Sequence, residues 1–191
     1  MKMQHVNVKL LLGSPEAIKL EPLVPIFHEW IEHKAMEELL LDIADYSHVP
    51  EGPGIVLIGH QADYSVDNTL GRLGVRYNRK VETAGDNQES MSQAARAALT
   101  ACRRLEGDGR LSGKLRFGGQ EVDVFINDRL LAPNTEESRQ EARAEFETFF
   151  KKLFGGSDFS LAFDIDPRRL LRLTAKSAQP FSSTDLLTNL A

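Results

Sequence analysis

Nine residues, ending in Pro50-Glu51-Gly52-Pro53-Gly54, stand between two apolar runs of strand character, and that spacing constrains the type of sheet the chain can build. A parallel crossover needs a dozen or more residues, so neighbouring strands joined by so short a link run antiparallel. The two prolines fix φ and the two glycines accept conformations that other residues resist, which marks the link as a turn. The first run, over 39–45, puts Leu39, Leu41 and Ile43 on one face. The second, Ile55-Val56-Leu57-Ile58-Gly59, is β-branched and apolar throughout and reads as a strand covered on both faces.

The remaining periodicities extend this pattern. Val6, Val8, Leu10 and Leu12 alternate with Asn7, Lys9 and Leu11 as a first strand. Leu23, Phe27, Trp30 and Ile31 recur at helical spacing, predicting a helix over about 21–34. In "RLGVRYNRKV", Leu73, Val75 and Tyr77 point one way and Arg72, Gly74, Arg76 and Asn78 the other, a strand with one wet face. A narrow stripe from Met91 to Leu105, with Asp86 and Glu89 in capping-box spacing, predicts a second helix that buries Cys102 as a small hydrophobe. Gly118-Gly119 predicts a hairpin turn that sets Leu115 opposite Val122 and Lys114 opposite Asp123. Asn134 and Glu137 predict the cap of a third helix, striped by Ala142, Phe146, Phe149, Phe150 and Leu153. Phe159, Leu161, Phe163 and Ile165 alternate as a strand; residues 166–176 fit a strand or a short helix, and a small helix over Leu186, Leu187 and Leu190 fits the end. The expected fold class is α+β, with about three main helices packed on one face of a largely antiparallel or mixed sheet. A chain of 191 residues fits one compact domain over 1–191, with two closely packed halves, 1–83 and 84–191, as the alternative division.

Charge and cysteine usage narrow the setting. With 28 acidic and 23 basic side chains the net charge is −5, which gives no global attraction for nucleic acid. One cysteine, no apolar run long enough for a membrane span and no signal-peptide core predict a cytoplasmic protein with neither nucleic acid nor membrane as partner.

Chemistry-bearing residues crowd where the apolar run 55–59 ends. His60, Asp63 and Asp67 follow it directly, and imidazole with carboxylate can exchange protons or ligate a cation when close. These three are the candidate catalytic residues, set in what reads as a polar loop. Tyr64 supplies an amphipathic ring, and Arg72 and Arg76, with Lys80, form a positive rail suited to a carboxylate or phosphate, so Tyr64, Arg72 and Arg76 are the candidate ligand-binding residues. No metal site is expected: His28 and His33 do not share a helical face, and no paired Cys-x-x-Cys or His-Glu-x-x-His occurs. Ser65 has no evident base partner. The glycines at 52, 54 and 59 lack the order of a phosphate loop or dinucleotide fingerprint, and no cofactor is specified. Two functions follow as expectations. The first is self-association or protein contact, as a homodimer or other homo-oligomer, because several strands need their edges paired. The alternative is a small anionic-ligand binder or hydrolase-like enzyme with its site around 60–76.

Overall fold

A computed structural model describes residues 1–191 apart from the Ala17 side chain. Among the described residues, eight strands form one antiparallel sheet in the order β2-β3-β4-β5-β1-β6-β8-β7. The strands are β1 Val6–Leu12, β2 Leu40–Tyr46, β3 Gly54–Gly59, β4 Ala62–Asp67, β5 Gly74–Arg79, β6 Phe117–Ile126, β7 Phe159–Phe163 and β8 Leu171–Ser177. The helices are α1 Leu23–Glu32, α2 Asn87–Glu106, α3 Glu136–Leu153 and α4 Ser183–Asn189. This is the α+β fold expected from the alternation of elements. No helix among the described residues is long and apolar enough to cross a membrane.

The pleat of β1 divides the molecule. Val8 lies in one cross-strand row with Tyr77, Tyr64 and Leu57 on one side and Val124, Leu173 and Phe163 on the other. That face carries the helices: α1 packs on β2 and β3, α2 on β1 and β5, and α3 on β7. Ala94, Ala95 and Ala98 of α2 are buried there, and small side chains let the helix approach the sheet closely. Phe150 stacks on Phe154 under the same cover, with ring centroids 5.6 Å apart.

Four local expectations are corrected. The stretch after Gly59 is no loop. Ala62, Tyr64 and Val66 alternate with Asp63, Ser65 and Asp67 through β4, and only His60-Gln61 make the turn from β3. Gly118-Gly119 makes no hairpin: β6 runs through both glycines, and the pairing with β1 shifts between Leu10 and Leu12. Val122, Val124 and Ile126 gain more by lying between β1 and β8 in the sheet centre, while Ser112 and Gly113 turn the chain with positive φ just before. The α3 cap is Thr135, whose hydroxyl accepts from the Ser138 N–H; Asn134 instead donates to the carbonyls of Asp164 and Asp166. Finally, β3 is sealed only on the helix side, because Val56 and Ile58 on its other face stay half-buried near the sheet edge.

Residues 166–176 resolve as a turn followed by β8. The link between Tyr46 and Gly54 makes β2 and β3 an antiparallel pair, with Asp45 opposite Ile55.

Candidate functional site

The face of the sheet away from the helices is where the charges collect. Its central row reads Ser65, Arg76, Lys9, Asp123 and Thr174 across β4, β5, β1, β6 and β8. Lys9, Asp67 and Asp123 are each only 1 % exposed, although no helix covers them. The cover comes from the Thr69–Gly71 turn, the flanking arginines and Phe125. Gly74 makes the room: a Cβ there would come within 2.8 Å of Lys9 Cγ and 2.7 Å of the Leu10 carbonyl.

Lys9 Nζ lies 2.6 Å from Asp67 Oδ1, and Arg76 reaches the other oxygen at 3.4 Å. Thr69 donates both its backbone N–H and its hydroxyl to the same carboxylate. Burial pulls Lys9 below the ordinary amine range, against the opposing charge of Asp67. Burial pushes Asp67 up, but Lys9 and Arg76 outweigh it and the carboxyl ends below its usual range. The two shifts pull the pair in opposite senses. Two cations beside one carboxylate favour its charged form, which is the direction of the Asp67 shift.

Beside this pair runs a second network. Asp123 accepts from Thr174 Oγ1 at 2.6 Å and Arg172 at 2.8 Å, and Arg72 spans from Asp123 to Glu121. Asp164, at the end of β7, holds Arg169 at 3.1 Å, and Asp166 holds Arg168 at 3.0 Å. The guanidinium groups of Arg76 and Arg172 both lie over the Phe125 ring, 4.7 and 5.4 Å from its centroid. Two adjoining depressions open above, of about 490 and 240 Å³. Arg72, Arg76, Arg129, Arg168, Arg169 and Arg172 line them, against the carboxylates of Glu51 and Asp164.

The sequence-predicted set is divided by this geometry. Asp67, Arg72 and Arg76 come together. His60 stands exposed at the β3–β4 turn, with its backbone N–H on the Leu39 carbonyl. The six residues of β4 separate it from Asp67 by about 20 Å, at roughly 3.3 Å per residue. Asp63 shares the polar face but lies at the His60 end, paired with Lys80 at 2.7 Å. Tyr64 points to the helix side, edge-on to Tyr77 at 5.2 Å, and donates its hydroxyl to Glu38. Burial, with Glu38 beside it, holds the phenol well above its usual range.

No protein-family model matches the chain, and the curated proteins include none similar to it. Chemistry must therefore be read from the groups themselves. Among the described residues no three His, Cys, Asp or Glu side chains gather as a metal-binding cluster. Cys102 is buried in α2, and burial pushes its thiol up and away from reactivity. What the polar face offers is guanidinium. Each arginine carries five N–H donors, and the carboxylates behind them accept only part of that number. Arg172, for example, gives one nitrogen to Asp123, and its other terminal nitrogen is 3.8 Å from Asp164. Among the described residues Arg129 donates only to the Arg168 carbonyl and has no carboxylate partner.

Sequence periodicity missed Lys9, Asp123, Arg172 and Thr174. Lys9 in "VNVKL" and Asp123 in "VDVF" both sit on the polar parity of apolar strands. That signal became a site only once β6 was placed beside β1, where Asp123 faces Lys9.

Proposed function

We propose that the protein binds a small oxyanion-bearing molecule, carboxylate or phosphate, on the arginine-lined face of its sheet. The carrying observation is that six arginines converge on two adjoining depressions while their deepest partners, Asp67 and Asp123, are sealed beneath them. Buried carboxylates orient Arg72, Arg76 and Arg172 and accept only part of their donors, which suits arginine to a planar or tetrahedral oxyanion. The overall charge of −5 makes this concentration of arginine local, so attraction is confined to the one face. Imidazole has no part in the binding, since His60 stands at the far end of β4.

Calorimetric titration with inorganic pyrophosphate at low ionic strength tests this reading. One site per chain is expected, weakening as salt is raised and by about tenfold or more in the double variant Arg129→Ser/Arg169→Ser. Absence of heat up to millimolar pyrophosphate, or affinity unchanged in the variant, would remove it.

A second reading, self-association, is favoured by the outer edge of the sheet. Leu39, just before β2, and Leu41 within it are 61 % and 51 % exposed, and β2 is the strand at one end of the sheet order. Edge pairing of two copies would cover them. Light scattering showing a dimer that Leu41→Lys dissociates would support it; a monomer at all concentrations would not.

A further inference from the structure

The helix side of the sheet carries a larger cavity, about 570 Å³, between the α1–β2 connection and α2. We infer that it is a second binding site, independent of the arginine face, for a small amphipathic anion that carries a hydrogen-bond donor. Its volume falls in the range of small-molecule pockets, and its surfaces are of three kinds.

The body of the cavity is apolar, from Ala35, Met36 and Ala97; the short side chain at 97 leaves the space that a larger one would occupy. The rim is cationic, from Lys34, Arg96 and Arg104. None of these three forms a salt bridge among the described residues at N···O within 4.0 Å; Arg96 gives one donor to the Leu190 carbonyl, at 2.5 Å. Of the two carboxylates present, Glu38 is occupied by the Tyr64 hydroxyl. The third surface is Gln93. Its Nε2 donates to the Tyr77 hydroxyl at 2.9 Å, while its Oε1 is buried and receives no hydrogen bond among the described residues. A buried acceptor left unpaired is costly, and a donor on a bound molecule relieves that cost.

The backbone points the same way. Lys34 ends α1 with φ of 49°, and the following N–H, of Ala35, closes on the Trp30 carbonyl at 2.9 Å. Glycine is the usual residue at such a helix end, because it takes positive φ without strain. A lysine held there keeps an ammonium at the rim at the expense of backbone comfort, a pattern found where a side chain serves a ligand. Anionic end at Lys34 and Arg104, apolar body on Met36 and Ala97, and donor toward Gln93 together define the ligand class.

The probe is 1-anilinonaphthalene-8-sulfonate, which has a sulfonate, an apolar body and an N–H. Fluorescence titration gives stoichiometry, and amide ¹⁵N shifts locate the probe. Saturable binding of one molecule per chain is expected, with shifts at 34–38 and 93–104. Arg104→Glu, an exposed change that leaves the core intact, should weaken binding about tenfold, and Ala97→Phe, which fills the cavity, by more. Pyrophosphate binding should be unchanged in both variants, which separates this site from the arginine face. Affinity unaffected by Arg104→Glu in the folded variant, or shifts confined to the β2 edge around Leu39 and Leu41, would overturn the inference.

Discussion

Replacing Asp67 by asparagine removes the charge on which the polar face is organised and keeps nearly the same volume. At 2.6 Å, the Lys9–Asp67 attraction is about 6 kcal/mol gross at an effective dielectric near 20. Most of that offsets the cost of taking both groups out of water, since each is 1 % exposed. Asparagine leaves Lys9 with the Thr69 carbonyl at 3.3 Å as its remaining hydrogen-bond partner, so most of this desolvation is uncompensated, and Arg76, 3.4 Å from Asp67, adds repulsion. The expected loss is therefore about 3–5 kcal/mol, the cost of breaking a buried pair from one side. Lys9→Met should cost less, because Asp67 keeps Arg76 and both Thr69 donors. The double variant should recover part of the Asp67→Asn loss, giving a coupling of about 2 kcal/mol in a double-mutant cycle. Urea unfolding with m-values compared across all four proteins measures this. A loss below about 1 kcal/mol for Asp67→Asn, or costs that add without coupling, would mean that Lys9 is not held by Asp67 as described.

Acid should weaken the same element. The Asp67 carboxyl sits below its usual range in the folded state, so its stabilisation is full above the unfolded carboxylate value of about 4 and is lost as pH falls through the lower folded value. Asp67→Asn should flatten that part of the stability-versus-pH curve; an unchanged slope would count against the assignment. Gly74→Ala should destabilise by roughly 1–3 kcal/mol in thermal unfolding, because the new methyl meets Lys9 Cγ at 2.8 Å and the Leu10 carbonyl at 2.7 Å; a neutral result would show that the Lys9 channel is not tight. Phe150→Ala, at a fully buried ring of α3, should cost about 3–5 kcal/mol by denaturant unfolding, and less than about 1 kcal/mol would contradict that packing.

The elements that sequence made legible are those whose period is set by one packed face. β1 and α2 follow from alternation and from a capping box, and Asp86 and Glu89 satisfy each other as their spacing predicts. β4 was hidden because aspartates and a histidine made its polar parity resemble a loop, although Ala62, Tyr64 and Val66 kept strand period beneath it. The Gly118-Gly119 hairpin failed for a different reason. Local pairing of charges matched well, but Val122 to Ile126 had stronger non-local partners in β1 and β8. Half of the site was legible, in Asp67, Arg72 and Arg76, because parity on one strand and the turn beside it suffices. Its other half, from Lys9, Asp123 and Arg172, depends on which strands are neighbours, and chain order does not record that.

The most direct test of anion capture is the behaviour of the arginine side chains themselves. The Nε–H groups of Arg76 and Arg172 are buried and make no hydrogen bond among the described residues, so their resonances should be protected from rapid exchange and visible by ¹⁵N NMR. Titration with pyrophosphate at low salt should move these resonances, together with that of Arg169, along one saturable curve. Resonances of Arg76 and Arg172 that stay fixed while the anion is added would contradict binding on this face.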